Sequence, residues 1–399
     1  MSEIRVDSIG NESNTGGPVL SGITTFSGQQ YFIPPKGTTA ERPSDCPPGS
    51  IRFNTDSAHL EYWNGLVWLE FEASSVELGN QNASSSESGG TGTRGLRAGG
   101  NSTADVIEYF TIETLGNTQD FGNLTLSRKG NAACASRTRG VNAGGESASP
   151  GTQENRIDFV TIASTGNASD FGDLTEKGGF SQMTGLSNQT RGIFTGGYGN
   201  PGPFSSTNII QYITIAQTGN GVDFGDLAYA QTNAASFASS VRGIVGGGAD
   251  PSFQNVINYI TISTTGNAQD FGDLTSAKRT LVGASNSTRG LFAGGQPTSP
   301  NSDANSTNVI VYVTIASTGN AQDFGDLTQG ATNGKRNLMS GATNSTRCVW
   351  PGGKDGSGDA DNAMEFVTIQ TTGNAIDFGD TATAGRFGCG GFSNGHGGL

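Results

Sequence analysis

The chain has 399 residues, 63 of them glycine, with 14% charged residues and a formal net charge of -13. This composition excludes a charge-rich disordered chain and suits many tight turns between short strands. The negative charge opposes nucleic acid and anionic membrane surfaces as partners, and no apolar run is long enough for membrane insertion.

The N-terminus, MSEIRVDSIGN, lacks a basic region leading into an apolar one, so no export signal is expected. Residues 33–71 read IPPKGTTAERPSDCPPGSIRFNTDSAHLEYWNGLVWLEF, and LEYW-NG-LVWLEF predicts a hairpin around an Asn-Gly turn. Tyr62, Trp63 and Trp68 would give so small a unit an aromatic patch that it cannot cover alone, so they are read as its attachment surface. The segment resembles a short module of bacteriophage tail fibres and other virion appendages, in which a Gly-x-Ile-Arg-Phe-Asn strand precedes an aromatic hairpin ending in Trp. The opening residues are similar to those of marine phage structural proteins, notably cyanophage ones. The resemblance implies a virion protein made in the host cytoplasm, with residues 1–78 joining it to other virion proteins. Fibre components of this kind are commonly trimeric, which implies a homo-oligomer, although heptads are absent. Residues 79–92, GNQNASSSESGGTG, form a polar linker.

From Thr93 the sequence repeats six times. Each copy has a Thr-Arg-Gly-like turn, an apolar run ending in Gly-Gly (TRGLFAGG, 288–295), a variable loop, a run such as NVIVYVTI (308–315), Thr-Gly-Asn, and AQDFGDL (321–327). The phenylalanines of the last element, Phe121, Phe171, Phe224, Phe271, Phe324 and Phe378, recur every 47 to 54 residues, close to the period of propeller blades. The β-branched and aromatic runs between turn residues predict strands, not helices. With the segment before the arginine (KRTLVGASN, 278–286), four strands can be drawn per repeat, here called a to d. The first repeat lacks a strand a, whereas the chain ends in TATAGRFGCGGFSNGHGGL, which predicts that a C-terminal strand completes the first blade. Gly-Gly followed by an aromatic on strand c (Tyr109, Phe159, Tyr212, Tyr259, Tyr312, Phe366) resembles the kelch repeat, without its tryptophan. The resemblance implies an all-β protein with a six-bladed kelch-like β-propeller over 93–399, in which the DFGD phenylalanine fills the missing tryptophan's place.

The repeated DFG tripeptides read as architecture, since a kinase needs one such triad beside other motifs. The recurrent Arg94, Arg139, Arg191, Arg242, Arg289 and Arg347 are each expected to pair with an Asp or cap carbonyls within their own blade. GATNGKR (330–336) lacks P-loop spacing. Asp355, Asp359, Asp361 and Glu365 have spacings reminiscent of a calcium loop, the one cofactor place in the sequence, against the simpler reading of a solvated acidic loop. Cys46, Cys134, Cys348 and Cys389 read as free, packed thiols. His59 and His396 stand outside the repeats, leaving no histidine-based catalytic centre within the blades, so no enzyme is expected. The b–c and d–a loops vary in length and share one face, so that face is read as a binding face for a host-surface glycan or protein. Its candidates are Tyr198, Phe204, Phe253, Gln296, Asn301 and Asp303. The alternatives are a purely structural capsid-decorating or connecting protein and a propeller-type carbohydrate-active enzyme.

Overall fold

The computed structural model describes residues 34–57, 59–70, 93–101, 104–147, 152–175, 179–199, 205–249, 251–297, 302–382 and 385–399. The chain divides into two compact units, Met1–Leu78 and Gly79–Leu399.

In the first unit, β1 (Lys36–Gly37), β2 (Ile51–Asn54), β3 (His59–Trp63) and β4 (Trp68–Glu70) form one sheet in that order. The first pair is parallel and the others are antiparallel. The expected Asn-Gly turn sits one residue further on, at Gly65 and Leu66. Asn64 closes the ladder instead, its N–H donating to the Val67 carbonyl (3.3 Å) while its side-chain oxygen accepts from the Leu66 and Val67 amides. One face of the sheet holds a buried carboxylate, Glu61, which accepts from Arg42 Nε (3.1 Å) and Asn54 Nδ2 (2.7 Å). These partners hold the carboxyl of Glu61 below its usual range, the Arg42 hydrogen bond being the largest cause.

In the second unit, six four-stranded antiparallel sheets follow one another, each in the order a-b-c-d. The second is Ala132–Ala135, Arg139–Ala143, Arg156–Thr161 and Ser169–Asp173. The third is Thr184–Ser187, Arg191–Thr195, Ile209–Thr214 and Val222–Asp226. The fourth is Ala235–Ala238, Arg242–Gly246, Val256–Thr261 and Gln269–Asp273. The fifth is Val282–Ser285, Arg289–Ala293, Val309–Thr314 and Gln322–Asp326, and the sixth is Ala342–Thr343, Arg347–Pro351, Ala363–Thr368 and Ile376–Asp380. The first sheet takes its strand a from the C-terminus: Gly390–Ser393 pairs with Arg94–Ala98, followed by Val106–Thr111 and Gln119–Asn123. Strand a of each sheet lies against strand a of the next, and that of the sixth lies against that of the first.

The c–d ladder of every sheet shifts register at the same place, before Glu108, Asp158, Gln211, Asn258, Val311 and Glu365. Such a shift re-aims side chains, and the DFG phenylalanines beside it are all buried. Each meets the strand c aromatic of its own sheet edge to face, with centroids 5.9 Å apart for Tyr109 and Phe121 and 6.1 Å for Tyr312 and Phe324. The apolar core lies between neighbouring sheets. Leu291 and Phe324 of the fifth pack with Cys348, Trp350 and Val367 of the sixth, and Phe110 and Ile112 of the first pack with Val349 and Phe366 of the sixth.

Three residues at the register shift carry buried ion pairs. Arg128 meets Asp158 (2.8 Å), Arg386 meets Glu108 (2.7 Å), and Arg336 meets Glu365. In the fifth sheet the basic residue stands without the acid: Lys278 is buried and the strand c residue is Val311, so desolvation pushes the lysine down to about 8.

Candidate functional site

The two sides of the six-sheet unit are built differently. On the side of the a–b and c–d turns the same contacts recur six times. The glycine of each c–d turn, in Thr-Gly-Asn or, in the first repeat, Leu-Gly-Asn, donates its N–H to the DFG phenylalanine carbonyl of the preceding sheet, from Gly166 to Phe121 (2.7 Å) through to Gly116 and Phe378 (2.9 Å). The adjoining asparagine accepts from the residue after DFG, as Asn220 does from Asp173 (3.0 Å). The approach is close enough that a Cβ on Gly122 would lie 2.4 Å from the Gly166 carbonyl oxygen, which explains the glycine of DFG.

The recurrent arginines cap carbonyls, but of the next sheet and not their own. Arg94 donates to Ile162, Arg139 to Ile215 and Ala216, Arg191 to Ile262, Arg242 to Ile315 and Ala316, Arg289 to Ile369, and Arg347 to Ile112 and Glu113. Each guanidinium also stacks on its own sheet's strand c aromatic, 4.4 Å from the ring centroid at Arg289 and Tyr312. Own-blade capping is therefore corrected, because the strand b arginine leaves its sheet across that aromatic and reaches the neighbouring strand end.

On the side of the b–c loops and d–a connections, sheets add unequal short ladders. Arg128–Lys129 pairs with Glu146–Ser147, Phe180–Ser181 with Tyr198–Gly199, Lys278–Arg279 with Gln296–Pro297, and Arg336–Asn337 with Lys354–Asp355. Between them opens a cavity of about 650 Å³. Its neck is a circle of six residues, one before each strand a: Gly130, Gln182, Asn233, Thr280, Leu338 and Gly388. Each donates its backbone N–H to the carbonyl of the preceding member at 2.8 to 3.0 Å, and Gly130 completes the circle by donating to Gly388. All six have positive φ, between 52° and 68°. That conformation is cheap for glycine but costs side-chain-bearing residues on the order of 1 kcal/mol or more, most for β-branched Thr280. Beyond the neck lies a smaller chamber of about 140 Å³, lined by the strands a of the first five sheets and by the residues just before that of the sixth, among them Ser340 and Gly341.

The mouth wall carries Lys129 beside Glu146 (3.6 Å) and Lys354 beside Asp303 (2.7 Å). Asp303 also accepts from Gln296 Nε2 (2.7 Å) and Asn337 Nδ2 (3.2 Å), so it is held in place from three directions. Two polar atoms of the wall, Ser181 Oγ and Asn337 Oδ1, are buried without a hydrogen-bond partner. Phe387 adds an aromatic ring, with Lys354 Nζ 5.4 Å from its centroid.

Of the residues expected on this face, Gln296 and Asp303 line the mouth, but Gln296 is buried and acts through its side-chain bonds. Tyr198 is half-buried in its short ladder, and half-buried Phe253 lies under the Arg279 guanidinium at 4.9 Å. Phe204 and Asn301 lie outside the described residues. The circle itself escaped the sequence reading, because Gly, Gln, Asn, Thr and Leu share no chemistry. Their common place just before strand a was the available signal.

The acidic loop is built by its own hydrogen bonds. Asp355 Oδ1 accepts from the Ser357 and Asp359 amides (2.8 and 3.0 Å), and Asp361 Oδ1 accepts from Ala363 (2.8 Å). Glu365 lies on strand c against Arg336. Among the described residues no group of three or more His, Cys, Asp or Glu is placed to hold a metal ion. His396 reaches the third sheet after all, with Nε2 3.2 Å from Ser187 Oγ. Its geometry is nonetheless structural. Nε2 contacts the Ala135 carbonyl (2.8 Å), Nδ1 accepts from the Gly398 amide (3.1 Å), and Ser187 Oγ donates to Ala135 (2.7 Å). Burial pushes His396 down to about 4, keeping the ring neutral. Cys134, Cys348 and Cys389 are buried free thiols, and burial raises Cys134 and Cys348.

In the first unit Trp63 and Trp68 lie on the same face as Glu61, half-buried, with Trp68 Nε1 donating to Pro43 (3.1 Å) and Arg52 5.9 Å from the Trp68 ring. The opposite face carries Tyr62 with the exposed Ile51, Leu60 and Leu69. The aromatic patch expected at the tryptophans is thus on the partly covered side.

No protein-family model matches the chain, and no curated protein matches it in sequence.

Proposed function

We propose that residues 93–399 form a six-bladed, kelch-like β-propeller whose C-terminal strand completes the first blade, and that the protein is a non-enzymatic binding component of a bacteriophage virion, such as a tail fibre or appendage. The cyclic order of strand a contacts and the bonds from Arg347 to Ile112 and Glu113 support the propeller, which leaves no unpaired inner strand. The observation that carries the binding reading is the difference between the two sides: one is stapled identically six times, whereas the other bears unequal loops around a cavity of about 650 Å³. The partner on this reading is a host-surface glycan or protein.

The N-terminal unit joins the protein to other virion proteins. Its apolar face with Ile51, Leu60 and Leu69 exposed suits burial in an assembly, and so supports equally a purely structural decorating or connecting protein. A mass-spectrometric inventory of purified particles, combined with binding of the isolated protein to host cells, tests the proposal. Presence in particles with cell binding is expected. Presence without cell binding leaves the structural role, and absence from particles contradicts the virion reading.

A further inference from the structure

We propose that the mouth cavity is a saccharide site that takes one or two pyranose units, with the circle of left-handed residues as its floor. The inference deepens the binding reading above and rests on it.

Two observations converge on this chemistry. First, the volume of about 650 Å³ falls within the roughly 300 to 1,000 Å³ of small-molecule sites. Second, Gln182, Asn233, Thr280 and Leu338 keep side chains where Gly130 and Gly388 show that glycine serves the same backbone bond. A Cβ at Gly130 or Gly388 would meet nothing closer than 3.4 Å, so crowding does not select glycine there. The strain tolerated at the other four positions holds an amide pair in the neck, with Asn233 Nδ2 donating to Gln182 Oε1 (2.7 Å).

The surroundings select the ligand class. Amides and hydroxyls with a ring beside them suit vicinal hydroxyls on one side of a sugar and its C–H face on the other. Lys129 and Lys354 are each beside a carboxylate, and Arg279, the third cation of the lining, lies over the Phe253 ring with its Nε donating to Gln296, so the mouth's cations are engaged and form no cradle for phosphate. An acidic polysaccharide backbone would also meet the net charge of -13, which favours neutral sugars.

The test uses the full chain and its Gln182→Gly/Asn233→Gly variant, which keeps the backbone circle and removes the neck amides. Ligand-observed NMR and calorimetry with glucose, galactose, mannose, N-acetylglucosamine and the disaccharides maltose and cellobiose read the site directly. At least one sugar should bind with Kd in the millimolar range or tighter. The variant should melt no lower than wild type and bind that sugar at least tenfold more weakly. No binding by wild type, or equal binding by the variant, overturns the proposal. Host-cell binding by the same two proteins separates the two readings. Cell binding by wild type without sugar binding removes the cavity and leaves the binding face, whereas absence of both removes both.

Discussion

Arg347, on the sixth sheet, donates from one guanidinium nitrogen to the carbonyl oxygens of Ile112 (3.1 Å) and Glu113 (2.9 Å) on the first. It reaches 234 and 235 residues back along the chain to repeat a contact that other arginines make with the sheet just ahead of them. The last interface is therefore made of the same parts as the other five.

That equivalence sets a mutational expectation. Arg347→Ala and Arg191→Ala each remove a charge-assisted bond to a neighbouring carbonyl and a cation–π contact, and each should cost about 2 to 3 kcal/mol. Denaturant midpoints measure both. A cost at Arg347 near zero beside a full cost at Arg191 would mean that the sixth and first sheets are not joined.

The buried lysine makes the opposite prediction. Lys278→Met should stabilise the protein at pH 7 by about 1 to 3 kcal/mol, because the charge it removes has no carboxylate opposite. Arg336→Met should instead destabilise by about 3 to 5 kcal/mol, since it strands the carboxylate of Glu365. Lys278 is pushed down to about 8 from 10.5, so between those values the unfolded chain binds more protons. Wild-type stability should therefore rise relative to Lys278→Met as pH goes from 8 to 10.5. A flat difference across that range would contradict the assignment.

His396 gives an acid-side counterpart. Its folded value of about 4 lies below the ordinary 6.5, so the unfolded chain again binds the extra proton between these values. Its contribution is intact above pH 6.5 and declines as pH falls to 4. In a His396→Gln variant the difference from wild type should narrow over that interval, as read by thermal melts at matched pH. A constant difference would show that the ring titrates alike in both states.

The repeat, the four strands per copy and the pairing of the C-terminal strand with Arg94–Ala98 were legible because turn glycines, β-branched runs and a surplus terminal segment are local signals. The reach of the arginines was not. A single sequence places Arg139 beside its own sheet, and only the stacking of sheets brings Ile215 to it. The polar partner of Trp63 and Trp68 on their face of the sheet was not legible either. Glu61, two residues before Trp63 on the same face, is buried with Arg42 and Asn54 as partners, and Arg42 lies 19 residues away in the chain. At the mouth, Gln296 and Asp303 were visible as loop residues, but the backbone circle beneath them is defined by φ and not by residue type.

Thr280 tests that circle independently of any ligand. Its φ of 58° is unfavourable for a β-branched residue, so Thr280→Gly should raise stability by about 1 kcal/mol despite the added freedom of the unfolded chain. Loss of stability on this substitution would show that the side chain, and not the backbone circle, governs the position.

Hydrogen exchange of the full-length protein, read at Gly390–Ser393, tests most directly whether the chain's end completes its beginning. The Cα pairing of this strand with Arg94–Ala98 predicts that its amides exchange as slowly as those of the equivalent strand Thr184–Ser187 in the third sheet. Exchange at Gly390–Ser393 at the rate of an unpaired terminus, with Thr184–Ser187 still protected, would contradict the cyclic arrangement.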